Sequence, residues 1–96
     1  MDLGNAIKQI RKHRKLSQTE LAQLCDMSTN AICSIERNAS FPSKSTFDKI
    51  CKALDMPSAC IFLFAITDED IPESKRAIYK GFFEKNLKEM VLDEGD

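Results

Sequence analysis

The sequence predicts an all-α fold: five short helices, followed by an additional amphipathic helix at the C-terminal end. Three observations point there. Apolar residues recur at helical spacing, as at Leu3, Ile7 and Ile10 and at Phe47, Ile50, Cys51 and Leu54. Capping residues stand just ahead of these runs, with Asp2, Ser17, Ser28 and Ser58 each suited to accept from an exposed N–H at a helix start. The chain has 96 residues, 43% apolar and 30% charged, which suits one small soluble domain.

Taken in order, the first helix is opened by Asp2 and ends near Arg14. Its basic run, Arg11-Lys12-His13-Arg14-Lys15, is for the most part a solvated face near a helix C-terminus, where the macrodipole favours cations. Leu16 to Asn38 reads as two short helices joined by a tight turn. Ser17 and Glu20 form a capping box, and Leu16 and Leu21 fall at the staple positions. That second helix runs from Gln18 to about Cys25 and stops at Asp26-Met27. Ser28 restarts the pattern with a second staple, Met27 to Ile32, and the third helix runs from Thr29 to about Arg37. Ile32 and Ile35 face inward, while Thr29, Asn30 and Ser34 form a small, hydrogen-bonding outer face.

Asn38 ends the third helix, and Pro42-Ser43 starts a fourth that stops before Pro57. Ser58 is placed to cap the fifth, whose Cys60, Ile61, Phe62, Leu63, Phe64 and Ile66 are too many for one buried stripe. From about Pro72 to Leu92 the chain fits a single helix, with Asp68, Glu69, Asp70 and Glu73 at its positive end. Its stripe of Ile78, Tyr79, Phe82, Phe83, Leu87, Met90 and Val91 is broad and apolar.

The motifs SQTELAQ, Ser28-Thr29-Asn30, Ile32-Cys-Ser-Ile35-Glu36-Arg37-Asn38, Pro42-Ser43, Ile50-Cys-Lys-Ala-Leu54 and Ile61-Phe62 together resemble the Xre/Cro family of helix-turn-helix DNA-binding proteins, which includes the phage lambda repressor. The likeness covers roughly residues 3 to 66 and implies a lambda-repressor-like fold for a DNA-binding domain over residues 1–67. Residues 68–96 then form an acidic helical extension. Asp26, Asn38 and Asp55 stand where many family members have Gly; Asn and Asp tolerate the left-handed conformation that ends a helix. The resemblance implies that Thr29, Asn30 and Ser34 touch bases. It puts Gln18 and Ser28 near phosphates and pairs Arg11 with Glu36 as a structural clamp; Ser17 at the start of the second helix, and Arg37, Asn38, Ser40, Ser43 and Lys44 in the loop after the third helix and the next helix start, are further candidates for phosphate contacts. Asn30 is the sharpest expectation, because an Asn amide can pair with adenine N6 and N7.

A formal net charge of -1 looks unsuited to nucleic acid until it is divided. Residues 1–67 carry nine Lys and Arg against six Asp and Glu, whereas residues 68–96 carry five against nine. The basic excess therefore lies with the expected recognition stretch and the acidic excess in the tail. The longest apolar run, Ala59 to Ile66, is too short to span a bilayer, and the N-terminus lacks the pattern of a signal peptide, so a cytoplasmic location is expected. Cys25, Cys33, Cys51 and Cys60 form no C-x-x-C pair, which argues against a zinc site or a secreted disulfide framework. Three read as core residues, and Cys33 as partly exposed. His13 is the only histidine and sits in no catalytic constellation, so neither an enzyme nor a cofactor is expected.

The leading expectation is a sequence-specific regulator of double-stranded DNA, a repressor binding a two-fold symmetric operator as a homodimer. The apolar tail can fold back over the fifth helix or pair with a second copy. Pairing through Tyr79, Phe82, Phe83, Leu87 and Met90 is favoured, because one small half-site reader binds weakly. Gly81, which costs a helix interior about 1 kcal/mol relative to Ala, supports a close helix pair. The competing expectation is an antitoxin-type interaction protein whose tail masks another protein.

Overall fold

A computed structural model of the chain describes residues 1–82 and Lys85; of the tail positions named above, Phe83, Leu87, Met90 and Val91 lie outside the described residues. The described residues are all-helical: α1 Leu3–His13, α2 Gln18–Leu24, α3 Thr29–Glu36, α4 Lys44–Ala53, α5 Ser58–Ala65 and α6 Arg76–Phe82. Two single 3-10 turns, Asp68–Asp70 and Glu73–Lys75, separate α5 from α6.

Capping chemistry written in the sequence sets most helix starts. Asp2 accepts from Asn5 N–H at 3.0 Å, Ser28 from Ala31 N–H at 3.1 Å and Ser43 from Thr46 N–H at 3.2 Å. Ser17 and Glu20 complete a reciprocal box, at 2.9 and 2.8 Å. The fifth start differs from the expectation. Ser58 is already helical, and Pro57 occupies the cap with no side-chain bond. The carbonyl of Pro57 accepts from Cys60 and Ile61 instead.

The first four helices all end alike. Lys15, Asp26, Asn38 and Asp55 take φ of 62°, 55°, 60° and 53°. Around each, the next N–H reaches back to the last turn, as Leu16 does to Arg11 O, Met27 to Ala22 O, Ala39 to Ser34 O and Met56 to Cys51 O. This is the Schellman closure, which satisfies carbonyls otherwise stranded at a helix end.

The core gathers Leu3, Ile7 and Ile10 of α1, Leu21 and Ala22 of α2, Ile32 and Ile35 of α3, Phe47 and Ile50 of α4, and Ile61 and Ala65 of α5. Leu54 and Met56 close it below α4, and Phe62 stacks at a tilt on Phe47 with ring centroids 4.9 Å apart. Cys25 and Cys51 are buried, where desolvation raises both thiols above their usual 9.0, while Cys33 and Cys60 are half-buried.

The tail departs from one continuous helix. Pro72 holds Ile71 extended, Thr67 and Asp70 cap each other in a separate turn, and the helix begins only at Arg76. Asp70 is thereby occupied with Thr67 and with the Met1 ammonium 2.7 Å away, rather than lying at the positive end of α6. Arg76 donates to the carbonyls of Asp68 and Ile71, which folds residues 68–76 on themselves, and the Met1–Asp70 pair ties this segment to the start of α1.

Candidate nucleic-acid interface

Residues of α3 divide by side. Ile32, Ile35 and Glu36 are buried, one turn apart or less, which turns Asn30, Ser34 and Arg37 outward, with Cys33 and Thr29 at one margin. Asn30 and Arg37 are exposed, and Thr29 and Ser34 are half-buried. The outer face thus holds an amide, hydroxyls, one thiol and one guanidinium, all small enough for an α-helix to approach base edges in a major groove.

A buried polar clamp fixes the depth of α3. Arg11 and Glu36 are only 6% and 7% exposed, and they pair in bidentate geometry: Nε donates to Oε2 at 2.6 Å and Nη2 to Oε1 at 3.0 Å. Arg11 Nη1 donates to Leu16 O at 2.8 Å, and Gln18 Nε2 donates to Glu36 Oε1 at 3.0 Å. The pair therefore joins α1, the start of α2 and the end of α3. Gln18 spends part of its amide on this network and keeps its carbonyl oxygen and one N–H for other partners.

A second clamp holds the C-terminal end of α3. Asn38 accepts from Gly4 N–H at 2.9 Å and donates to Asp2 at 2.8 Å, leaving one amide N–H for any further partner. The Asn38 bond and the Asn5 N–H hold the Asp2 carboxyl below its usual range. Gly4 is required by packing. A Cβ there would lie 2.5 Å from Ile35 O and 2.6 Å from Glu36 O, so only glycine lets α1 approach the end of α3.

Around this face lie the remaining expected contacts. The Ser17 and Ser28 hydroxyl oxygens accept cap bonds, and each O–H retains a proton to donate outward. The Ser43 proton is directed to Thr46 Oγ1 at 3.0 Å. Lys44 is exposed and 3.0 Å from Asp48 one turn on, a solvated pair that a phosphate can displace. Arg37 and Ser40 are exposed. The Ser17 backbone N–H lowers the Glu20 carboxyl from its usual range, keeping it ionised beside the start of α2.

The model of the helix-turn-helix family matches residues 7–59, a span that holds both clamps' inner partners and all of α2 and α3. The chain belongs to the helix-turn-helix family, in its Xre/Cro, lambda-repressor-like branch. Membership supports DNA binding through the α2–α3 unit. Among curated proteins it is similar to an immunity repressor protein of Bacillus phage phi105, 33% identical over 87 residues. The match covers 91% of this chain and 58% of that relative's length.

Several residues of this helix-turn-helix domain gave no signal in the sequence. Gly4 carries no turn motif, and only the approach of α3 reveals it. Arg14, read with the solvated basic run, donates through Nε to Leu54 O at 2.8 Å and so ties α1 to the end of α4. Thr19 lies against Thr29, hydroxyl to hydroxyl, at 3.3 Å. Phe41 stands exposed in the loop between α3 and α4. In the tail, Ile78, Tyr79 and Phe82 are exposed, and a side chain at Gly81 would meet no described atom within 4 Å. No described helix is long and apolar enough to cross a membrane.

Proposed function

We propose that the protein represses transcription by binding a two-fold symmetric operator as a homodimer, with α3 of each copy in successive major grooves about 34 Å apart. Asn30 reads adenine, Thr29 and Ser34 read neighbouring bases, and Arg37, Ser40 and Lys44 with the α2 and α3 cap serines hold phosphates. The observation that carries this reading is the outer side of α3: polar, accessible at Asn30, and held from behind by the Arg11–Glu36–Gln18 and Gly4–Asn38–Asp2 clamps. A helix whose depth is fixed by buried charge can present short side chains reproducibly, which base reading demands. The apolar side chain of Ile78 in α6, 68% exposed, supports pairing of two copies through the tail.

Two measurements test the proposal together. Sedimentation of the intact chain at micromolar concentration is expected to show a dimer, and anisotropy with random duplex DNA a steep fall in affinity with salt. A monomer in sedimentation would remove the homodimer, and salt-independent or absent DNA binding would remove the regulator.

A further inference from the structure

The first residue of the reading helix does not present its hydroxyl freely. Thr29 Oγ1 lies 3.3 Å from Thr19 Oγ1, across the turn between α2 and α3. A threonine inside a helix usually turns its hydroxyl to a carbonyl one turn back, but Thr29 opens α3 and has no helical turn behind it. Thr19, at the second position of α2, faces that gap. Its neighbour Gln18 is engaged elsewhere, with Glu36. Threonine in helices divides between two χ1 wells, and a partner for the hydroxyl selects between them.

We propose that Thr19 is a positioning residue that sets what Thr29 reads: it draws the Thr29 hydroxyl toward α2 and leaves the methyl to meet the C5-methyl of a thymine. The inference rests on α3 being the reading helix. At 3.3 Å the bond is long, so its effect lies in orientation more than in strength. An unheld Thr29 offers both a donor and an acceptor and tolerates several bases; a held one offers an apolar contact that suits thymine.

Selection from random duplex DNA by wild type, Thr19→Val and Thr19→Ser tests it, with a thermal melt of each variant. Wild type and Thr19→Ser are expected to share one thymine in each half-site. In Thr19→Val that thymine preference is expected to fall about threefold to tenfold, on the order of one buried methyl contact, with other positions and the salt dependence unchanged. Uracil in place of that thymine should weaken wild type by a similar factor and leave Thr19→Val unaffected. Thr29→Val, which keeps a methyl and loses the hydroxyl, should retain the preference, and Thr19→Ala, which also removes the acceptor for the Thr29 hydroxyl, carries the same comparison if Thr19→Val unfolds. An unchanged Thr19→Val profile, or loss of the thymine in Thr29→Val, overturns the proposal. A wild-type chain that enriches no sequence overturns the reading of α3 itself, and this proposal with it.

Discussion

Lys15 sits at φ 62°, a conformation that costs an ordinary L residue about 1 to 2 kcal/mol and glycine almost nothing. Lys15→Gly is therefore expected to raise stability by about 1 kcal/mol, seen as a higher midpoint in urea; an unchanged or lower midpoint would contradict the account of the α1 end. Asn38→Gly should behave oppositely, because its amide bonds Gly4 and Asp2 and their loss outweighs the relief of the backbone. Asp26, Asn38 and Asp55 were legible as left-handed residues because they stand where the resembled family often has Gly and their side chains suit that conformation. Lys15 was not, since lysine carries no such preference. For the buried pair, Arg11→Ala strands Glu36 and is expected to cost about 3 to 5 kcal/mol in a thermal or urea melt. A melt matching wild type would show that the pair is not the clamp described.

At the scale of elements, the placement of α3 depends on its two clamps, and each makes a different prediction. Gly4→Ala would push α1 off the end of α3, because the atoms it meets are backbone carbonyls that cannot swing aside. It is expected to lower the melting midpoint, with amide shifts concentrated at residues 35–38. The Asp2–Asn38 clamp and the Ser17–Glu20 box depend on ionised carboxylates whose folded pKa values lie below 3.8 and 4.5. A depressed carboxylate contributes stability that is present above its unfolded pKa and lost as pH falls through the folded one. Stability should thus decline below about pH 4, and the decline should flatten in Asp2→Asn with Glu20→Gln; an undiminished acid slope would contradict the assignment. The helices of the core were readable because cap, staple and apolar spacing agree. The starts of α5 and α6 were not: Pro57 takes the cap itself and draws Ser58 into α5, whereas Pro72 keeps Ile71 extended and a separate turn at Glu73–Lys75 delays α6 to Arg76.

For the whole molecule, charge and oligomeric state matter most. The basic excess of residues 1–67 was visible once the sequence was divided, but which cations are available was not: Arg11 and Arg14 brace the fold, whereas Arg37 and Lys44 are exposed. Arg37→Ala is accordingly expected to lower the slope of log affinity against log salt by about one unit, with base preference kept; an unchanged slope would exclude a phosphate contact there. Because Arg76 closes residues 68–76 on themselves and Asp70 pairs with the Met1 ammonium, a chain shortened after residue 76 should fold with α1–α5 intact and sediment as a monomer. The most direct test of the central claim is amide chemical-shift mapping on titration with the duplex that selection returns. The largest changes should fall on residues 28–37 and the starts of α2 and α4. Largest changes on α5 or α6, with residues 28–34 undisturbed, would contradict it.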